Sequence, residues 1–128
     1  MRREEIRTAA APAPVGPYSQ AIRAGSWLFA SGQIPLDPAT GKLVPGEIED
    51  EARQVLANLR AVLEAGGSSL DHVVKATVYL TDLTLFPRVN AVYAEHFRAD
   101  PAPARVTVGV ASLPFGSRVE IDAIALCD

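Results

Sequence analysis

The spacing of apolar residues changes at residue 47, and this change constrains the fold more than any other feature of the chain. After this point apolar residues recur at steps of three and four, a spacing that predicts an amphipathic helix with one buried stripe. Acidic residues at the start suit the positive end of the helix dipole, and Gly66–Gly67 ends the pattern. The stripe consists of Ile48, Ala52, Val55, Leu56, Leu59, Val62 and Leu63.

Other segments read as strands because they are rich in β-branched and aromatic residues. A second helix is predicted over 85–98, where Phe86 and Val89 begin another apolar stripe. The segments on either side of Gly25–Ser26 predict a hairpin. The last two strand segments of the chain predict a second, hairpin-like pair. The predicted strands cover residues 18–24, 27–32, 73–80, 104–113 and 118–126.

The predicted order is therefore β-β-α-β-α-β-β, since the proline-bearing stretches 8–17 and 35–46 read as irregular segments. Helices interspersed with paired strands favour an α+β fold, in which a mixed sheet carries both helices on one face. The other sheet face is then polar or covered by another subunit. A length of 128 residues fits one domain spanning residues 1–128, and an apolar content of 48% favours an oligomer.

Composition also argues against several classes of function. The net charge is −3 and no basic run occurs, which argues against a nucleic-acid partner. Cys127 is the only cysteine, so no intrachain disulfide and no cysteine-rich metal site can form. His72 and His96 lack metal-ligand spacing and are expected at the surface. No apolar run approaches the roughly 20 residues of a membrane span, so a cytoplasmic protein is expected.

Two charged residues stand out in the C-terminal strands. Arg105 begins one strand, and Glu120 lies in the other between apolar neighbours. A guanidinium matches a carboxylate with two parallel hydrogen bonds, and a shielded carboxylate can deprotonate a water molecule. Spacing alone equally allows a cross-strand salt bridge between them on a solvated face, and Arg118 is a rival partner near Glu120. Alternation places Val106 and its even-numbered neighbours on an apolar core face.

Weaker candidates lie elsewhere in the chain. The hydroxyl of Tyr18 could donate to a ligand, although a packed aromatic with a wet tip explains it as well. Gly32 would let a ligand approach the backbone after Ser31, although a plain turn explains this pair too. Asn90 is an ordinary polar residue of the second predicted helix.

Several sequence blocks together resemble the RidA family, the YjgF-like reactive-intermediate deaminases. They are GPYSQA at 16–21, SGQIP at 31–35, the long block at 52–83, and PARVTVGVASLPFGSRVEI at 103–121. The last block resembles the family signature, in which PAR precedes a hydrophobic–Glu–Ile triplet. Because the blocks occur in order over nearly the whole chain, the resemblance is specific.

The resemblance implies a chorismate-mutase-like α+β fold assembled as a homotrimer. In this family three sheets form a central barrel, and the sites lie in clefts between subunits. The implied activity is hydrolysis of 2-imino or enamine acids, such as 2-iminobutanoate and 2-iminopropanoate, to 2-oxo acids and ammonia. The resemblance implies no cofactor and no metal.

The resemblance also assigns roles to residues. Arg105 matches the arginine that grips the substrate carboxylate, and Glu120 matches the acid that positions water and moves a proton to the leaving nitrogen. Thr107 stands where many members carry cysteine, so a thiol switch is not expected. Further ligand contacts match Tyr18, Asn90, Ser31 and Gly32. Alternatives are a non-catalytic ligand-binding member, a catabolic deaminase with a larger substrate, and the RNA cleavage reported in the family, which the negative charge disfavours.

Overall fold

The computed structural model describes residues 2–127. The long predicted helix is α1, and α2 is slightly shorter than predicted. Short 3₁₀ turns precede β4, α2 and β6. In chain order the strands and helices are β1 (Glu4–Ile6), β2 (Ala21–Ala24), β3 (Trp27–Gln33), α1 (Ile48–Ala65), β4 (Val73–Leu80), α2 (Phe86–His96), β5 (Ala104–Gly109) and β6 (Val119–Leu126).

The strands form one mixed sheet in the order β1-β2-β3-β6-β4-β5. Neighbouring strands are antiparallel except β4 and β5, which are parallel. The hairpin of β2 and β3 confirms the prediction around Gly25–Ser26. Strand β1 was not predicted, because Glu4–Ile6 is too short and too charged to show a two-residue apolar period.

The predicted pairing of the two C-terminal strands is wrong. Strand β4 lies between them and is hydrogen-bonded to β5 on one side and to β6 on the other. The reason is the helix between β4 and β5. A strand–helix–strand unit returns the chain parallel to the first strand, so β5 takes one side of β4. The segment 110–118 then leads to the other side, where β6 completes the hydrogen bonding of β4.

The core lies between one face of the sheet and the helices, as predicted. Helix α1 packs on β3, β6 and α2, and its apolar stripe is buried. On β4 and β6, alternate residues point toward the helices and are buried, among them Val78, Leu80, Val119 and Ile121. The intervening residues point to the opposite side, which we call the open face. Exposed apolar side chains on that face include Trp27, Phe29 and Leu126.

The prediction that Val106 lies on a core face is wrong. Val106 is paired with Thr77 on the open face and is 42% exposed. Its neighbour Arg105 is paired with the buried Ala76 and therefore points to the helix side. The edge position of β5 explains this arrangement, because the helix layer there is α2, whose aromatic side chains accommodate a guanidinium.

An ion pair between Glu51 on α1 and Arg118 before β6 ties the helix layer to the sheet. Glu51 is only 8% exposed, and its carboxylate accepts hydrogen bonds from Nε of Arg118 at 2.7 Å and from its Nη2. The sequence suggested Arg118 as a partner near Glu120, but its partner is Glu51. We expect Arg118→Ala to lower the free energy of unfolding by about 1–3 kcal/mol, since it leaves a buried carboxylate unpaired.

Chemical denaturation at one fixed protein concentration measures this effect. Arg60→Ala is the matched control, because Arg60 pairs with Glu64 on the exposed side of α1. Such a surface pair contributes about 0–1 kcal/mol. Equal losses of stability in the two variants would contradict the role assigned to Arg118.

Candidate active site

Glu120 lies on β6 near the end of the sheet where β6 begins. Its side chain is on the open face, directly across from Tyr79 of β4. Burial, and to a lesser degree the negative charge of Asp122, raises the pKa of Glu120. A carboxyl group that holds its proton more tightly than usual is a stronger base when ionised, which suits it to accepting a proton from water.

A β-bulge in β3 makes room for this carboxyl group. The register between β3 and β6 shifts between Ala30 and Gln33, which removes Ser31 and Gly32 from the regular ladder. A Cβ atom built on Gly32 would overlap Oε2 of Glu120 and would lie 2.8 Å from its Cδ. The absence of a side chain at Gly32 therefore allows the Glu120 carboxyl group to lie against the β3 backbone.

Ser31 fixes the same bulge to the preceding segment. Its backbone N–H donates to the carbonyl of Gln20 at 2.9 Å, and its hydroxyl donates to the carbonyl of Ser19 at 2.6 Å. Ser31 and Gly32 therefore form part of the wall beside Glu120.

A cleft of about 340 Å³ opens beside Glu120. One wall is the segment before β2, including Val15 and Tyr18, and another is the turn before β6, including Phe115. We call this site the carboxylate cleft and define it by Tyr18, Ser31, Gly32, Phe115 and Glu120. A volume of this size is typical of small-molecule sites.

Tyr18 lies at the mouth of the carboxylate cleft and is 51% exposed. Its hydroxyl oxygen accepts a hydrogen bond from the backbone N–H of Val15 at 3.2 Å. Because an accepting hydroxyl keeps its own hydrogen, Tyr18 can still donate to a ligand.

Two residues of this region escaped the sequence analysis. Gln20 is buried; its Nε2 donates to the carbonyls of Thr8 and Pro12, and its Oε1 accepts from the N–H of Thr8, so it anchors the segment that lines the cleft. Phe115 has a φ of 62°, in the left-handed region that non-glycine residues rarely adopt. No signal in the sequence identified Phe115 as a residue that lines the cleft with Glu120.

A second cluster surrounds Arg105, and we call it the arginine cluster. Nη1 of Arg105 donates to Oδ1 of Asn90 on α2 at 2.7 Å. The guanidinium carbon lies 4.7 Å from the ring centroid of Tyr93 and 5.3 Å from that of Phe86, distances typical of cation–π contacts. Thr107 lies two residues further along the same face of β5, and its buried hydroxyl has no hydrogen-bond partner among residues 2–127.

The two groups of predicted site residues are not brought together within one chain. Arg105 points to the helix side of the sheet and Glu120 to the open face, and β4 lies between their strands. The alternative of a cross-strand salt bridge between Arg105 and Glu120 is therefore wrong. Tyr18, Ser31 and Gly32 lie with Glu120, whereas Asn90 and Thr107 lie with Arg105.

Other residue classes fall outside these groups. In the part of the chain that the structure describes, no group of three His, Cys, Asp or Glu side chains is placed to hold a metal ion. His72 is exposed, and its Nδ1 is 2.9 Å from the hydroxyl of Ser69. Between residues 2 and 127, neither helix has both the length and the apolar character of a membrane-spanning segment.

Comparisons with known proteins place this geometry in a family. The family model described as Endoribonuclease L-PSP matches residues 8–127. A RutC family protein of Pyrococcus horikoshii is 55% identical over 96% of this chain and 97% of its own length. The 2-iminobutanoate/2-iminopropanoate deaminase of Bos taurus is 49% identical over 97% of this chain and 90% of its own.

A solved structure is similar to this chain in both fold and sequence. The crystal structure of Escherichia coli TdcF with bound serine superposes with a TM-score of 0.92 at 41% identity, covering 98% of this chain and 99% of that one. The chain belongs to the RidA family, which the Endoribonuclease L-PSP model describes.

Proposed function

We propose that this protein hydrolyses reactive 2-imino and enamine acids, such as 2-iminobutanoate and 2-iminopropanoate, to 2-oxo acids and ammonia. The observation that carries this proposal is the half-buried carboxyl group of Glu120, whose pKa is raised and which lies in a small cleft against the β3 bulge. The deaminase name of the bovine relative supports the same chemistry. The serine in the TdcF structure supports a ligand of amino-acid size.

The reaction needs little beyond orientation and proton transfer. The imine reacts in its protonated form: Glu120 accepts a proton from a water molecule as the water oxygen bonds to the imine carbon, and this gives a neutral tetrahedral carbinolamine. Glu120 then returns this proton to the nitrogen. As the C–N bond breaks and ammonia leaves, Glu120 accepts the proton of the carbinolamine hydroxyl, the C=O bond forms, and this last proton passes to the released ammonia. Holding the acid against a positioned water molecule lowers the activation free energy by several kcal/mol, on the order of the effect of proximity in other enzymes.

Arg105 supplies the grip on the substrate carboxylate, and in this proposal it does so from another subunit. Within one chain Arg105 and Glu120 lie on opposite sides of the sheet, so they cannot contact one small ligand together. In a closed ring of head-to-tail copies, Arg105 of the partner subunit can face the carboxylate cleft. The exposed apolar residues of the open face, such as Trp27 and Phe29, suit burial in a homotrimer of this kind.

Two features favour a small acid over RNA as the substrate, although the family description names an endoribonuclease. The chain carries a net charge of −3 without a basic run, whereas RNA binding draws on positive charge. The carboxylate cleft also has the volume of a small-molecule site, about 340 Å³, and this leaves room for an acid of more than four carbons beside the 55% exposed Phe115 at its wall. A catabolic deaminase acting on a larger enamine acid is therefore a second candidate.

A panel of imines generated in place by an amino-acid oxidase or dehydratase tests the proposal. We expect the protein to accelerate release of 2-oxo acid and ammonia over buffer, and the most accelerated imine identifies the substrate class. Arg105→Ala should raise KM by about 10- to 100-fold, because a charge-assisted bidentate grip is lost. Arg60→Ala, on the exposed side of α1, is the matched control. No acceleration by the wild-type protein for any imine would refute the proposal.

A further inference from the structure

A second carboxylate lies beside Glu120 on the open face. Asp122 follows Glu120 by two residues on β6, so both side chains point to the same side, about 6.6 Å apart along the strand. Neither the sequence blocks nor the reaction steps above give Asp122 a task. Its position beside a proton-transferring group therefore requires an explanation.

Tyr79 holds Asp122 in this position. Tyr79 is directly across from Glu120 in the register of β4 and β6, and its hydroxyl donates to Oδ2 of Asp122 at 3.0 Å. The ring of Tyr79 thus stands next to Glu120 while its hydroxyl reaches diagonally to Asp122. Burial, with the Asp122 carboxylate adding to it, raises the pKa of Tyr79, so the hydroxyl remains a donor at every pH at which the enzyme would work.

We propose that Asp122, held by Tyr79, is a positioning residue whose negative charge keeps a proton on Glu120 to higher pH than Glu120 would hold it alone. A negatively charged carboxylate disfavours the ionised form of a second carboxyl group on the same half-buried face. The raised pKa of Glu120, with Asp122 as its second cause after burial, agrees with this geometry. The inference depends on the proposed function only where it gives the proton of Glu120 a role in catalysis.

Other charged groups around Glu120 do not replace Asp122. Tyr18 is the titratable side chain of the segment before β2 that lines the cleft. Lys75 also lies on the open face of β4, but it is further from Glu120 than Asp122 is. Asp122 is paired with Thr77, and Lys75 is two residues before Thr77. Arg118 is bound to Glu51. In the proposed trimer, Arg105 of the partner subunit also faces Glu120, and it does so equally in all the variants used below.

The titration of Glu120 can be measured directly, without any assay of activity. The protein is labelled with ¹³C at the glutamate side-chain carboxyl carbon, and the Glu120 signal, assigned by its loss in Glu120→Gln, is followed with pH in the assembled protein. We expect the midpoint to lie at lower pH in Asp122→Asn than in wild type. Asparagine is close in shape and still accepts from Tyr79, so the change isolates the charge. Asp122→Ser is a second neutral variant in case the first does not fold.

Two further variants separate this effect from general electrostatics. Asp122→Glu keeps the charge and should retain the high midpoint. Asp71→Asn removes an exposed carboxylate from the turn that precedes β4, whereas Tyr79 and Glu120 lie near the end of that strand. This change should leave the Glu120 midpoint unchanged. An unshifted Glu120 midpoint in both neutral variants, or an equal shift in Asp71→Asn, would overturn the proposal.

The catalytic consequence is read from the pH dependence of kcat/KM. Because Glu120 must be ionised to accept a proton from water, the acid limb should move to lower pH in Asp122→Asn, together with the midpoint measured by NMR. Substrate protonation is common to both proteins and cancels in the comparison. An acid limb that stays in place while the NMR midpoint moves would overturn the catalytic task. If no imine is hydrolysed at all, the proposed function fails and the titration alone still decides the role of Asp122.

Discussion

Glu120→Gln is expected to lower kcat by about 10²- to 10⁴-fold, the range that general acid–base catalysis contributes. Glutamine has nearly the same shape as glutamate and fits against Gly32, but it cannot accept a proton from water at neutral pH. KM should change little, because in the proposed mechanism Arg105 of the partner subunit binds the substrate carboxylate. Steady-state kinetics on the most rapidly hydrolysed imine of the panel provide the measurement.

The matched control is Glu95→Gln, which removes an exposed carboxylate from the outer side of α2. This control should retain the wild-type kcat. A kcat for Glu120→Gln that matches this control would show that Glu120 is not the proton carrier. A large rise in KM at unchanged kcat would instead make Glu120 a binding residue.

Mixing two impaired variants is expected to restore activity at substrate concentrations well below KM, where each variant alone is slow. Arg105→Ala supplies an intact Glu120, and Glu120→Ala supplies an intact Arg105. If each site takes these residues from neighbouring subunits of a closed ring, random co-assembly at equal amounts gives about one quarter of the wild-type number of intact sites. Co-expression with two different affinity tags, followed by tandem purification and kinetics, measures the restored activity after correction for tag selection.

A complementary mixture distinguishes shared sites from sites within one chain. Wild type is co-assembled at equal amounts with the double variant carrying both Arg105→Ala and Glu120→Ala. Shared sites leave about one quarter of the activity, whereas sites within one chain leave about one half. No restoration in the first mixture together with half activity in the second would refute a site between subunits.

Local patterns predicted most of the fold because the spacing of apolar residues in each segment matches the helix or strand that the segment forms. The stripe from Ile48 to Leu63 has helical spacing, and α1 buries it. The hairpin around Gly25–Ser26 depends on a short turn between neighbouring segments. In both cases the residues that decide the structure are close together in the sequence, so the pattern contains the necessary information.

The position of the C-terminal strands could not be predicted in the same way. Consecutive strands most often pair with each other, and nothing in residues 104–126 shows that β4 separates them. That arrangement depends on the packing of α2 and on the completed hydrogen bonding of β4, which involve residues distant in sequence. The same limitation applies to Asp122, because its importance arises from Tyr79, 43 residues earlier in the chain.

Sequence patterns were sufficient to predict the α+β class, both helices, the hairpin of β2 and β3, and Arg105 and Glu120 as candidate site residues. Residue types and short-range periodicity carry that information, and the family blocks add the expected roles. The packed fold was needed to show that Arg105 lies on the helix side of the sheet, while Glu120 lies on the open face in a cleft with Tyr18, Gly32 and Phe115. Strand order and facing depend on which elements cover which side of the sheet, and this is a property of the packed chain.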